Sequence, residues 1–287
     1  MHGETYTKSF FSDLRNGAAR SADAIIPVLL KLVSVKSVVD VGCGQGTWLA
    51  AFQRFGVEDI LGVDGDYVDR SALEIPGDCF KALDLLKRFE LGRTFDLAVS
   101  LEVAEHLDAG SAEGFVASIT ELAPVVLFSA AIPFQGGVHH VNEQWPDVWV
   151  SLFSKFGFVA IDCIRRHVWE NDAVEWWYAQ NSLIFARGDA LESIPVLKRE
   201  FEDSKDGQIR LVHPRNYGSA LRPLQPPDWR VGTAARLLLV CMQNAVRRRM
   251  LALRGPVSYG EVRNPPNFNA AVGDSTLYGI VRRPGRE

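Results

Sequence analysis

Nowhere in its 287 residues does the sequence hold an apolar run approaching the roughly 18 residues that a membrane-spanning helix needs. Nor do any two cysteines stand as a CxxC pair. The first absence argues against an integral membrane protein, and the second against a zinc knuckle or a disulfide framework: Cys43, Cys79, Cys163 and Cys241 are scattered, and reduced thiols are expected. The opening "MHGETYTKSF" lacks the basic-then-apolar layout of a signal peptide, so a cytoplasmic location is expected. No internal repeat is seen. Lysine is missing from Val231 onward while arginine is plentiful there, so the tail is basic and the net charge of −4 conceals a strongly acidic remainder. What is present is ordinary globular material, 47% hydrophobic and 23% charged, enough for a large core.

Along the chain, "RSADAIIPVLLKLV" (Arg20 to Val33) has helical apolar spacing, with Pro27 limiting or kinking it. The β-branched run "SVVDVG" then reads as a strand, followed by a glycine turn and the helix "TWLAAFQRFG", closed by Gly56. The alternation continues: strands "DILGVD" and "FDLAVS", a helix "SAEGFVASITELA" that Ser111 would cap, and a strand "PVVLFSAAI". Strands alternating with helices imply a parallel sheet covered on both faces. After an amphipathic helix over residues 144–158, "VAIDCIRRHVW" and "NSLIFAR" read as two strands with no helix between them, which predicts an antiparallel hairpin. Beyond Gly188, proline and glycine become frequent, and a boundary is placed near residue 190. The predicted organisation is a domain over 1–190, of which 1–34 is an N-terminal helix or lid, and a C-terminal extension over 191–287 containing a basic amphipathic helix at about 231–254.

"VVDVGCGQGTWL" supplies Gly42, Gly44 and Gly46 between a strand and a helix, where the backbone must turn sharply, approach a ligand and present helix N–H donors. The dinucleotide fingerprint is G-x-G-x-x-G; here the spacing is G-x-G-x-G, with Asp40 two residues before the first glycine. In this the sequence resembles the class I S-adenosylmethionine (SAM) dependent methyltransferases. Asp64 at the end of "LGVD", Asp84 in "KALDLL" and the segment "FDLAVSLEVAEHL" follow in the family's order. The resemblance implies a Rossmann-like α/β fold, a mostly parallel seven-stranded sheet with an antiparallel last strand. It implies that Asp40 and the three glycines serve the amino-acid end of SAM and that Asp64 accepts the ribose hydroxyls. Asp84 and Leu85 would lie near the adenine, and Leu101 is carried over as a further cofactor contact. A nucleotide-sugar or NAD enzyme with an unusual turn stays as one alternative, and a SAM-binding partner protein without catalysis as another.

Methyl transfer is an in-line displacement in which the cofactor carries its own leaving group, so the protein positions the nucleophile and takes its proton. The [DN]-P-P-[YF] motif of families that methylate adenine or glutamine amides is absent; its place reads Ser100-Leu101-Glu102-Val103. A hydroxyl acceptor is therefore the leading expectation. Glu102, Glu105 and His106 lie at i, i+3 and i+4, which on a helical turn puts them on one face. "GGVHHVNEQW" follows the fifth strand and opens on the same sheet edge, so His139 and His140 can approach them. This E-x-x-E-H with a downstream His resembles the ubiquinone-biosynthesis O-methyltransferases and the enzymes that 2′-O-methylate the 3′ ends of small RNAs. That resemblance implies Glu102, Glu105, His106 and His140 (or His139) as ligands of a divalent metal such as Mg²⁺, Mn²⁺, Co²⁺ or Zn²⁺. The same glutamates also occur in relatives that use no metal, so His139 or His140 as general base stands beside it.

"SLEVAEHL", "HHVNEQWPDVW" and "WWYAQN" look like segments of bacterial methyltransferases that act on glycans or specialised metabolites. A sugar hydroxyl of a small molecule or glycan is the expected acceptor, with RNA 3′-terminal 2′-O-methylation as the alternative. Against RNA stands the acidity of the first 230 residues. Trp145, Trp149, Trp169, Trp176, Trp177 and Tyr178 are candidates for a substrate cover or for core, and Tyr6, Phe10, Phe11 and Arg20 for a lid over the cofactor. The basic helix would contact a membrane surface, nucleic acid or a second copy, or dock on its own domain with its arginines solvated.

Overall fold

The computed structural model describes residues 8–205 and 207–221 together with 238, 239, 242 and 243, with the backbone alone for 8–15. Seven strands form one sheet: β1 (Ser37–Val41), β2 (Asp59–Asp64), β3 (Phe80–Ala82), β4 (Leu97–Leu101), β5 (Val125–Ser129), β6 (Phe158–Ile161) and β7 (Leu183–Arg187). Their order is β3-β2-β1-β4-β5-β7-β6. β1 pairs in parallel with β2 and β4, β2 with β3 and β4 with β5. β7 is inserted between β5 and β6 and runs antiparallel to both. A mostly parallel seven-stranded Rossmann-like sheet with its last strand reversed is the fold, as the sequence predicts.

The sheet is buried on both faces because its strands are continuously apolar, as parallel strands between helices must be. Val38, Leu97, Val99, Val125 and Leu127 face one core. Val39, Ala98, Val126 and Phe128, one residue out of phase, face the other. The first core is covered by α1 (Lys8–Leu32) and α2 (Thr47–Arg54), the second by α3 (Ala112–Leu122) and α4 (Pro146–Ser154). α1 starts well before Arg20 and continues through Pro27. The proline removes one N–H, but Ile25, Ile26 and Leu29, all fully buried against α2, hold the helix together. Ser111 stands at the start of α3, yet its hydroxyl bonds to Asp108 rather than capping the helix.

Two expectations need correction. "VAIDCIRRHVW" is not one strand: β6 stops at Ile161 and the chain turns into the helix α5 (Arg165–Val168). The cause is Arg165, a fully buried guanidinium whose Nε donates to Asp162 Oδ1 at 2.8 Å, which draws the backbone out of extension. β6 and β7 do pair antiparallel, but α5 and α6 (Trp176–Asn181) lie between them, so they are not a simple hairpin.

The packed unit continues past residue 190. α7 (Gly188–Ser193) and α8 (Pro195–Ser204) return along β7 and β6, Leu197 is fully buried in the first core, and this unit runs on to Asn216, within α9 (Pro214–Leu221). The basic helix expected at 231–254 and the tail beyond it lie outside the described residues, apart from residues 238, 239, 242 and 243, which are helical. Among the described residues, no helix is long and apolar enough to cross a membrane.

Candidate active site

Parallel strands deliver their carboxyl ends to one edge of the sheet, and the centre of that edge lies between β1 and β4, where the strand order reverses. The glycine turn follows β1. Gly42, Gly44 and Gly46 have φ of 87°, 53° and 84°, a region in which side chains are strained. A Cβ on Gly42 would lie 2.3 Å from Val103 Cγ2, so close approach as well as dihedral angle demands glycine there. Gly44 N–H donates to Asp64 Oδ2 at 2.7 Å, and Asp64 Oδ1 accepts from Gly65 N and from the Tyr67 hydroxyl, both at 2.6 Å. Beneath the turn, the buried Asp40 has its carboxyl pushed up to about 8, chiefly by burial and then by the charge of Asp64.

These residues open on a cleft of about 700 Å³ lined by Gly42, Asp64, Tyr67, Asp84, Leu85, Glu102 and His106, with no lysine or arginine among the described residues that line it. Asp84 is exposed and paired with Lys87 at 2.9 Å, which with the Leu86 N–H holds its carboxyl below the usual range. Leu85 is buried beside it. Leu101 is buried in the first core and does not line the cleft.

On the other side of the cleft, "SLEVAEHL" is less regular than one helical turn. Glu102 has φ 55°, a left-handed conformation, and only Ala104–His106 form a 3₁₀ turn. Glu102 therefore departs from the face shared by Glu105 and His106. Its N–H donates to Ser129 O at 3.0 Å, and its carboxylate accepts from Gln135 Nε2 at 2.8 Å and Asn181 Nδ2 at 3.0 Å. Burial raises its carboxyl, opposed by those donors.

Glu105 is fully buried, and neither carboxylate oxygen has a hydrogen bond of good geometry, the main-chain N–H groups of Glu105 and Ala131 being its nearest donors. Burial, followed by the charge of Glu102, lifts its carboxyl well above the usual range. An unpaired buried carboxylate is costly. One ligand atom each from Glu105, His106 and His140 lie within 4.8 Å of one another. The His106 imidazole is pushed down to about 4 by desolvation and by His140, although part of its ring reaches solvent at the cleft. A buried carboxylate without well-formed hydrogen bonds, beside the His106 imidazole that resists protonation and the ring of His140, is a donor set that fits a divalent cation. Glu102, committed to two amides, stands outside that set.

The loop after β5 carries the two histidines to different places. Val141 and Asn142 N–H groups both donate to Glu105 O, at 2.8 and 3.0 Å, which docks the loop on the 3₁₀ turn. His140 turns inward: its ring meets His106 edge-on at 4.8 Å, and its Nδ1 lies 3.0 Å from Glu143 Oε1. Glu143 also accepts the N–H groups of Phe134 and Gly136 at 2.7 and 3.0 Å, which gathers the loop around one carboxylate. His139, at φ 59°, is exposed. Gln135, Glu143 and Asn181 were given no role from sequence. For Glu143 a signal existed, its i, i+3 spacing from His140. Gln135 and Asn181 reach Glu102 across 33 and 79 residues, which no local pattern encodes.

Of the aromatic candidates, Trp149 is in the second core and Tyr178 packs edge-on against Trp48 at 5.3 Å. Trp145, Trp169, Trp176 and Trp177 are partly exposed. Arg20 reaches Glu175 at 3.0 Å, whereas Tyr6 and the side chains of Phe10 and Phe11 lie outside what is described.

A family described as a methyltransferase domain matches residues 14–183. The chain is 27% identical over 167 residues to the dTDP-3-amino-3,4,6-trideoxy-alpha-D-glucopyranose N,N-dimethyltransferase of Streptomyces venezuelae, a match covering 58% of this chain. The matched part spans 65% of that relative's length. Among solved structures, the sugar N-methyltransferase KedS8 from Streptoalloteichus aligns with a TM-score of 0.50 at 15% identity, covering 65% of this chain and 96% of that one. The methyltransferase domain of bacterial CtHen1 aligns with a TM-score of 0.43 at 20% identity, covering 60% and 99%.

Proposed function

The chain belongs to the methyltransferase-domain family, a class I SAM-dependent group, and from that premise we propose that it transfers the methyl of SAM to a sugar-type acceptor of a small molecule or glycan. One observation carries this reading: a single cleft, with no lysine or arginine among the described residues that line it, joins Asp64 and the glycine turn to Glu102 and His106. Such a cleft suits a sulfonium cation on one side and a neutral or cationic acceptor on the other, and opposes a polyanion. Asp64 takes the ribose hydroxyls, the Leu83–Leu86 segment with Asp84 borders the adenine, and the turn from Gly42 to Gly46 receives the amino-acid end.

The acceptor oxygen attacks the methyl carbon in line as the sulfur leaves, and the oxygen's proton passes to His140, whose ring Glu143 orients. His139, exposed and outside the cluster formed by Glu105, His106 and His140, is the weaker candidate for this role. Glu105, His106 and His140 would hold a divalent cation, with Glu102 flanking it. Such a cation, when bound, lowers the pKa of an acceptor hydroxyl. The two roles exclude each other at His140, because a nitrogen that holds a cation does not accept a proton.

An amine acceptor is the second reading, favoured by the Streptomyces relative, whose name specifies an amino sugar. Its nucleophile is the free amine and needs no cation. The test is transfer from methyl-labelled SAM to a panel of sugars, amino sugars, phenols and RNA 3′ ends, with and without EDTA. Label is expected in a sugar or amino sugar; with a hydroxyl acceptor, EDTA sensitivity supports the cation and EDTA insensitivity supports His140 as base. Label confined to RNA would overturn the reading.

A further inference from the structure

Beyond Glu102 a chain of buried amides crosses the molecule. Asn181 Nδ2 donates to Glu102 Oε1 and to Gln135 Oε1, at 3.0 and 2.9 Å. Gln180 Nε2 donates to Gln135 Oε1 and Asn181 Oδ1, at 3.0 and 2.9 Å. Gln180 Oε1 in turn accepts from the main-chain N–H of His213 at 2.9 Å and from Asn216 Nδ2 at 3.0 Å. Gln180, Asn181, His213 and Asn216 are all at most 5% exposed.

A side-chain amide can be turned end for end, and its orientation is set by its neighbours. A main-chain N–H has no such freedom. His213 N–H is a donor only, so it must face Gln180 Oε1, and Gln180 Nε2 then points the other way, at the oxygens of Gln135 and Asn181. Asn181 is left with its NH₂ toward Glu102. The Ile132 N–H, 3.3 Å from Gln135 Oε1, fixes the second amide in the same sense. Two fixed main-chain donors thus leave Glu102 facing two N–H groups, at a residue whose left-handed backbone needs holding in place.

His213 and Asn216 lie beyond residue 183, where the family match ends. Their segment is tied down by Arg165, whose Nη1 donates to Ile209 O at 2.9 Å and to Gln180 O at 3.2 Å. His213 Nε2 donates to Trp169 O at 2.7 Å, while its Nδ1 accepts from Arg215 N at 3.2 Å.

We propose that residues 207–216 are a working part of the methyl-transfer site, with Gln180 the positioning residue through which the His213 main chain aims the Glu102 carboxylate at the acceptor. This rests on Glu102 bordering the acceptor. The apolar near-isostere Gln180→Met removes the relay, and Asn216→Ala removes one of its two terminal donors while leaving His213 N–H. Gln180→Met is expected to lower kcat, expressed per SAM-binding site, about tenfold with the SAM Kd within twofold of wild type. Asn216→Ala is expected to lower it two- to threefold. A merely structural role would lower the melting temperature and leave kcat per binding site unchanged, which would overturn the proposal.

An acceptor-independent measurement runs beside this, the crystal structure of Gln180→Met with S-adenosylhomocysteine. Glu102 displaced from Asn181 is expected, and Glu102 unmoved would overturn the proposal. Glu102→Ala separates the two failures. Full activity in Glu102→Ala refutes the reading of the site itself, whereas lost activity there with a wild-type kcat in Gln180→Met refutes only the relay.

Discussion

Two buried carboxylates stand on opposite sides of the topological switch, and they are treated in opposite ways. Asp64, ending β2, accepts two main-chain N–H groups and a tyrosine hydroxyl. Glu105, just past β4, is fully buried with no hydrogen bond of good geometry to either oxygen. The first is pre-satisfied by the protein itself, which suits a residue that exchanges one hydroxyl partner for another. The second, poorly partnered by the protein, is completed by a proton or by a bound cation. In the proposed reading, cofactor recognition is thus built into the backbone, whereas the acceptor side is left to be completed by what it binds.

The largest expected effect breaks the cofactor side. Gly42→Ala places a Cβ 2.3 Å from Val103 Cγ2 at φ 87°, and SAM affinity is expected to fall at least about 100-fold, measured by calorimetry. Gly44→Ala, with nothing within 4 Å, carries only the dihedral strain of about 1–2 kcal/mol, and a smaller loss is expected.

Next come the histidines. His140→Ala is expected to reduce methyl transfer about 10- to 100-fold in initial-rate assays, and His139→Ala less than about twofold, because the ring of His140 groups with Glu105 and His106 whereas His139 is exposed. Equal effects from the two would contradict the different places they occupy.

A third test sharpens the acceptor side. Mn²⁺ or Mg²⁺ is expected to raise the melting temperature of the wild type by a few degrees. Glu105→Leu should abolish that rise and, by removing an unpaired buried carboxylate, melt higher than the cation-free wild type. A cation-induced shift that survives in Glu105→Leu would place the ion elsewhere.

The smallest effect concerns Asp40. Its folded-state pKa of about 8 lies above the usual carboxylate value of 3.8, so the folded protein binds the proton more tightly than the unfolded chain. Folding is then favoured at low pH and loses stability as pH rises from about 4 towards 8. Relative to wild type, Asp40→Asn should gain melting temperature between pH 5 and pH 9; a gap that stays constant with pH would contradict this.

The two sides also differ in how much of them is legible in sequence. The glycine turn, Asp40 and Asp64 lie within 25 residues and at strand ends, where β-branched runs and glycine spacing mark the backbone directly. The alternation of strands and helices likewise yields the sheet, since apolar runs buried on both faces leave few other solutions. The acceptor side depends on long-range partners. Glu102 looked like part of a helical face, but the bonds from Ser129, Gln135 and Asn181 impose a left-handed residue that periodicity does not encode. The break of β6 at Asp162 likewise follows from a buried arginine, a tertiary effect in a stretch whose local propensity is extended.

The most direct measurement of the central claim is a calorimetric titration of the purified protein with SAM and, separately, with NAD. One-to-one binding of SAM, weakened at least about 100-fold by Asp64→Ala, and no heat from NAD are expected. Binding of NAD in place of SAM, or SAM binding indifferent to Asp64, would contradict it.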